Sequence, residues 1–217
     1  MGRIFLVRHG ETPANRSRIL QGPRIDVPLN EAGERQAQSL AQALRDVPLD
    51  AVFTSPLHRA RQTAQAVVRS HVREMLPVQV VPELYEMDYG DYVGRPYDEV
   101  APHVEQVLDA WQLGFVDQSF PGGESAMLAA HRVRPFAARA LHEAASGDVA
   151  VVAHGRINRI LLSHWTQAGL TQLETFPQSN ACITELAVDQ PGGPARILRL
   201  NDTRHLDEAS EGAGGLA

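Results

Sequence analysis

The stretch FLVRHGETPAN, residues 5–15, passes from an apolar run to charged and turn-forming residues in one step. The run from Arg3 to Val7 is short, β-branched and aromatic, without polar alternation, the pattern of a parallel strand covered on both faces. The same pattern recurs downstream. AVFT (51–54), VQVV (78–81), ended by Pro82, and VAVVA (149–153) read as the second, third and fourth strands. Between them lie helical periods. Asn30 is placed to cap a helix on which Ala37, Leu40, Ala41 and Leu44 share one face. Ser55-Pro56 reads as a cap and first-turn proline for the next helix. A long helix is expected from about Glu124 to Ala145, with apolar positions at Met127, Ala130, Val133, Ala137, Leu141 and Ala144. The helix after residue 153 buries Ile157, Ile160, Leu161 and Trp165, and CITELAV and ARILRL flank a Pro-Gly-Gly turn as a closing hairpin. The sum is an α/β fold, a mostly parallel central sheet with helices on both faces. We expect a single domain over residues 1–206 and a flexible tail at 207–217.

One segment departs from the alternation. Residues 82–123 hold all four tyrosines (Tyr85, Tyr89, Tyr92, Tyr97) with Trp111, Phe115 and Phe120. From Glu74 to His131 there are 11 acidic residues and a single arginine, Arg95. This reads as an insertion over the sheet edge and the site, a lid with its own aromatic packing.

Composition narrows the function. At 217 residues and 43% hydrophobic, the chain buries a sizeable core. There is neither a signal-peptide-like start nor an apolar run long enough for a membrane span, so a cytoplasmic protein is expected. The lone Cys182 excludes an internal disulfide and a cysteine zinc cluster, and reads as a small buried hydrophobe. The histidines lack HxH and HxxxH spacing, so no metal is expected. All 20 basic residues are arginine, which excludes Schiff-base and P-loop lysines. A net charge of −6 argues against nucleic acid. Any phosphate bound here must be bound by arginine.

In open α/β sheets, ligands lie at the carboxyl ends of the strands. The first strand ends in Arg8-His9, the second leads to Ser55-Pro56-Leu57-His58-Arg59, and the fourth ends in His154-Gly155. Two imidazoles and two guanidinium forks at one edge suit a tetrahedral dianion. Arginine grips phosphate oxygens bidentately, and a neutral histidine can attack phosphorus. Gly10 is read as leaving room for the phosphoryl group beside the ring.

The order of these pieces resembles a known family. Leu6-Val7-Arg8-His9-Gly10-Glu11-Thr12, with Asn15 and Leu20-Gln21-Gly22, is similar to the signature of the histidine phosphatase superfamily, the phosphoglycerate mutase-like proteins. Thr54–Ala64 resembles its second block, Leu84-Tyr85-Glu86-Met87-Asp88-Tyr89-Gly90 the block carrying the acid, Gly122–Ser125 the loop before the long helix, and Val152–Gly155 the second histidine block. Leu200-Asn201-Asp202-Thr203 is also familiar. The resemblance implies that His9 becomes phosphohistidine, Arg8 and Arg59 clamp the phosphate, and His154 polarises the phosphoryl group. It makes Glu86 the general acid and base, ahead of its neighbours Glu83, Asp88 and Asp91. Asn15, Gln21, Gly22 and Gly155 are implied to touch substrate. Glu11 is expected to orient the loop or an arginine, and the other seven histidines are taken as ordinary.

Two positions depart from the family pattern. Val93 stands where many members carry an acid, and Arg156 where many carry a glycine. Arg156 and Arg95 are left as two possible substrate contacts. No cofactor is implied. The partner is a small phosphorylated metabolite, and a homodimer is compatible with the reading. Because the 82–123 segment offers one arginine among many acids, a phosphatase with a neutral, cationic or aromatic leaving group is favoured over a bisphosphoglycerate-dependent mutase. Broad-specificity and α-ribazole phosphatases both fit, and a phospho-ligand-binding protein without turnover is the remaining alternative.

Overall fold

Alternate residues of the apolar runs face opposite ways, so each central strand feeds two cores. In β1 (Gly2–Arg8), Ile4 and Leu6 join one cluster and Phe5 and Val7 the other. In β4 (Asp148–Ala153), Val149, Val151 and Ala153 divide from Ala150 and Val152 in the same way. With β2 (Leu49–Thr54), β3 (Val78–Val80), β5 (Ile183–Val188) and β6 (Arg196–Asp202), they form one sheet in the order β3-β2-β4-β1-β5-β6 in this computed structural model, which describes residues 2–206. The four strands β3, β2, β4 and β1 are parallel; β5 and β6 close one edge antiparallel. The tail expected at 207–217 lies outside the described residues.

Two helices, α2 (Glu31–Leu44) and α3 (His58–Ser70), cover one face, after the short α1 (Pro13–Arg16). On the other lie α4 (Tyr97–Gln112), α5 (Ala126–Ala144) and α6 (Gly155–Thr166). Asn30 caps α2 by accepting the Gly33 N–H at 2.8 Å, as its position predicted. Ser55 does not cap α3. The cap is Leu57, without a side-chain bond; the Ser55 hydroxyl accepts from the Leu57 N–H at 3.3 Å, ahead of the helix, and lies 2.7 Å from His154 Nε2. In α5, Met127 is exposed and Ala126, Ala129, Phe136 and Ala140 are buried instead. The helix begins at Ser125, whose hydroxyl accepts from Leu128 N–H, and that start sets the rotation of its faces. The aromatics of 82–123 do not pack by themselves: Tyr89, Trp111 and Phe120 share a core cluster with Ile4, Phe53 and Phe136.

Gly10 has a different purpose from the one expected. A Cβ there would fall 2.5 Å from the Gly33 carbonyl oxygen, and a Cβ on Gly33 would fall 2.0 Å from that of Glu11. The turn after β1 thus lies backbone-to-backbone on the first turn of α2. Glu11 joins this contact, accepting from the Asn30 amide at 2.7 Å, which orients the loop. In an ordinary helix, alanine is better than glycine by roughly 1 kcal/mol. Here Gly33→Ala is expected to lower unfolding free energy by about 1–3 kcal/mol, an overpacking cost, measured by urea denaturation. A stabilised variant would contradict the backbone contact.

Candidate active site

Three neighbouring strands stop at one edge. The sheet order seats β4 between β2 and β1, so His154 lies between Ser55 and His9. The His9 N–H donates to Ala153 O at 3.1 Å and the Ser55 N–H to Val152 O at 3.0 Å, continuing the ladders past the strand ends. The two imidazoles meet edge to face, with ring centroids 5.1 Å apart.

Nδ1 of His9 lies 2.7 Å from Gly10 O. A carbonyl can only accept, so Nδ1 carries the proton and Nε2 keeps its lone pair. That lone pair accepts from Arg59 Nε at 3.3 Å. Burial, together with Arg59 and Arg8, holds the His9 imidazole well below its ordinary 6.5, and burial with the same arginines and His9 does so for His154. Nε2 of His154 is 2.7 Å from the Ser55 hydroxyl. Its Nδ1 and Arg8 Nε are buried with no hydrogen-bond partner among the described residues.

The arginines come from different elements. Arg8 ends β1 and donates from Nη1 to Gln178 O at 2.5 Å. Arg59, on the first turn of α3, is 1% exposed; it donates to Gly22 O at 3.1 Å and Ile25 O at 3.0 Å, with Asp26 at 3.8 Å. Gly22 can present its carbonyl this way because it adopts a positive φ of 56°.

Glu86 follows a 3-10 turn at Pro82–Leu84 and is buried. Its Oε1 accepts from the backbone N–H of Met87 at 2.9 Å and of Ile157 at 3.3 Å; Oε2 accepts from that of Arg156 at 3.3 Å. A carboxylate at the N-terminus of α6 is favoured by its unpaired N–H groups and dipole. Gly155 lies between: a Cβ there would come 3.7 Å from Arg8 Nε and 3.9 Å from Glu86 Oε2.

The other expected contacts gather less tightly. Asn15 is tied into a capping box with Thr12, and its Oδ1 also accepts from Asn180. Gln21 is buried with Oε1 lacking a partner among the described residues. Arg95 is half exposed and pairs with Glu99, whereas the Arg156 guanidinium turns inward to Glu174 and Tyr89. Of the rival acids, Asp88 pairs with Arg24 at 2.8 Å, and Asp91 is exposed.

Sequence reasoning missed the supports. Arg132 of α5 donates to Glu83 O and, at 3.0 Å, to Tyr85 O, stacks 3.6 Å over the Tyr85 ring and grips Glu124 with both Nε and Nη2, so it fixes the loop that carries Glu86. Asn180 donates to His9 O at 3.1 Å, and Asn158 to the Gln178 side chain at 3.0 Å behind Arg8. These contacts span 8 to 171 residues and carry no periodicity of their own, so only Ser55, inside the quoted Thr54–Ala64 block, left a local signal.

Two arginines from separate elements around a neutral imidazole define an oxyanion-handling site on an open α/β sheet, of the kind used for phosphoryl transfer. The chain belongs to the histidine phosphatase superfamily (branch 1), whose family model matches residues 4–203. It is 31% identical to the phosphatase PhoE of Bacillus subtilis over 95% of this chain and 97% of that protein. It is 30% identical to the adenosylcobalamin/alpha-ribazole phosphatase of Escherichia coli, over 90% and 95% of the respective chains. The solved structure of Bacillus stearothermophilus YhfR superimposes with a TM-score of 0.80 at 28% identity, covering 94% of this chain and 98% of that one. Among the described residues no helix is long and apolar enough to cross a membrane.

The neutral histidines make stability depend on pH. Both folded values lie below 6.5, so as pH falls the unfolded chain protonates these imidazoles before the folded chain does. Unfolding then takes up protons and stability falls, by up to about 1.4 kcal/mol per pH unit for each histidine. Urea unfolding between about pH 7.5 and about pH 5.5 is expected to show a steeper loss for the wild type than for His154→Gln. Equal slopes would contradict a neutral, buried His154.

Proposed function

We propose that the chain is a phosphomonoesterase for small phosphate esters, acting through a phosphohistidine on His9. The observation that supports this most is the fixed tautomer of His9, a neutral ring whose unprotonated Nε2 faces Arg59, with Arg8 also beside it. In the first step Nε2 bonds to phosphorus as the P–O bond to the alcohol breaks, and Glu86 gives its proton to the departing oxygen. In the second step Glu86 takes a proton from water, whose oxygen attacks phosphorus and releases His9 and inorganic phosphate. Arg8 and Arg59 balance the phosphoryl charge, and His154 stands across from His9 to hold a phosphoryl oxygen.

Asn15, Gln21, Gly22 and Gly155 complete the phosphate surroundings in this reading. Arginines supply the charge that a metal would otherwise bring, so the reaction is metal-independent and survives chelation. The setting is cytoplasmic. Every named group comes from one chain, which suits a monomer or a homodimer equally. The alpha-ribazole phosphatase relative supports including α-ribazole 5'-phosphate in a substrate panel.

Steady-state hydrolysis of p-nitrophenyl phosphate tests the reading. His9→Ala is expected to abolish turnover and acid-labile phosphoenzyme. Glu86→Gln should lower kcat/KM by about 100-fold or more with an alkyl phosphate, the scale of lost general acid catalysis, and far less with p-nitrophenyl phosphate, whose leaving group needs little protonation. Equal losses on both esters would remove Glu86 from the acid role, and an inactive wild type would remove the hydrolase reading itself.

A further inference from the structure

The two imidazoles at the sheet edge spend different nitrogens on the protein. His9 uses its Nδ1–H on Gly10 O and keeps the Nε2 lone pair. His154, also neutral, has a single N–H, and its Nε2 lies 2.7 Å from the Ser55 hydroxyl. Such a contact has two forms: the ring donates to the hydroxyl, or the hydroxyl donates to the ring.

The surroundings of Ser55 select one of them. Ser55 is fully buried, and its Oγ already accepts the Leu57 N–H at 3.3 Å. Were His154 to donate from Nε2, Oγ would accept twice, and its own proton would face no other acceptor among the described residues. A buried hydroxyl proton without an acceptor is costly. When Ser55 donates instead, both its donor and its acceptor capacity are used, and the ring proton of His154 sits on Nδ1.

That Nδ1 is buried without a hydrogen-bond partner among the described residues, and so is Arg8 Nε. The two belong to one place. Arg8 pairs with Ala153 across β1 and β4, and a Cβ on Gly155 would fall 3.7 Å from Arg8 Nε, so this atom lies beside the backbone that carries His154. The nitrogens of an imidazole diverge, which turns Nδ1 away from Ser55 and β2; on the opposite side of β4 stands β1 with Arg8 and His9. Buried donors lacking partners are rare in folded proteins, and two of them together suit a ligand that only accepts. A phosphoryl dianion is such a ligand. The other tautomer of His154 would turn a lone pair toward it.

Resting on the phosphatase reading above, we propose that Ser55 is a positioning residue for phosphoryl transfer: by donating to His154 Nε2 it holds the ring in its Nδ1–H form, so that this N–H and the Nε–H of Arg8 together bind phosphoryl oxygens. His9 and His154 then carry the proton on the same ring nitrogen but serve opposite ends of the reaction. Gly10 O occupies the N–H of one and leaves a nucleophile; Ser55 occupies the lone pair of the other and leaves a donor.

Histidine 15N shifts report which ring nitrogen is protonated, and the His154 signals are assigned by their loss in His154→Gln. Near neutral pH the wild type is expected to show His154 protonated on Nδ1, and Ser55→Ala to move toward the Nε2–H form that free imidazoles favour in water. A wild-type ring protonated on Nε2 overturns the proposal without any variant, and so does a tautomer unchanged in Ser55→Ala. A double-mutant cycle tests whether Ser55 acts through His154. Ser55→Ala should lower kcat/KM for p-nitrophenyl phosphate by about tenfold or more, part of the loss that follows removal of an aligned donor. In a His154→Gln background the same substitution should cost less than about twofold. Equal losses in both backgrounds would make Ser55 a structural support and overturn the proposal. An inactive wild type defeats the phosphatase reading separately. The cycle is then run on calorimetric affinity for inorganic phosphate: weaker binding in Ser55→Ala, absent in the His154→Gln background, supports the donor pair. No binding by the wild type, or binding unchanged in Ser55→Ala, overturns it.

Discussion

Buried Arg59 and partly buried Arg8 press on one imidazole, and the neighbouring loops are arranged to make that crowding tolerable. Burial pulls both Arg8 and Arg59 below the usual guanidinium value, and isolated buried cations are costly unless they are hydrogen-bonded. The offset comes from backbone carbonyls: Gln178 for Arg8, Gly22 and Ile25 for Arg59. Loops far apart in sequence are thereby drawn to the same edge of the sheet. The same crowding keeps His9 neutral, because a third positive charge cannot be accommodated there. Local structure and chemistry follow from one electrostatic constraint.

Glu86 answers that constraint from the other side. It lies in a loop without regular structure, yet it is bound at three points: the N–H of its own neighbour Met87 and those of Arg156 and Ile157 in the first turn of α6. Arg132 fixes the preceding backbone through Glu83 and Tyr85. A carboxyl group held this way keeps one position while its proton comes and goes, which is what an acid that later serves as a base requires. Tyr89 closes the site nearby, and burial, with Glu86 beside it, pushes its hydroxyl well above the usual value, so it remains a neutral donor.

Most of the fold was legible in the sequence because the central strands β1, β2 and β4 are buried on both faces along nearly their whole length, unlike the edge strands β3 and β6. A run such as VAVVA admits no exposed register, and β4 is buried throughout. The histidines and arginines at strand ends were legible for the same reason, since topology brings strand ends together whatever the loops do. What could not be read is contact between segments. Ser55 looked like a helix cap because local preference favours that role, but its hydroxyl is taken by His154, 99 residues away. Met127 fits a helical stripe in spacing alone; the cap at Ser125 turns it outward. Gly10 looked like space for a ligand, whereas the space belongs to the backbone of α2.

Charge shows the same limit with a functional consequence. Counted by segment, residues 74–131 are strongly acidic, and the natural inference is a site that repels anions. Counted by distance, the acids nearest the site are spoken for. Arg24 and Arg18 come from the loop after α1, and Arg132 from α5 neutralises Glu124. The cation that faces inward, Arg156, is adjacent in sequence to the strand-end histidine block, not to the acidic segment. Coulomb interactions fall with distance in space and with exposure to salt. An exposed aspartate on α4 therefore weighs less on the site than Arg8 and Arg59 at the ends of the strands. The charge that a ligand meets at these strand ends is therefore set by Arg8 and Arg59, not by the acidity counted along the segment.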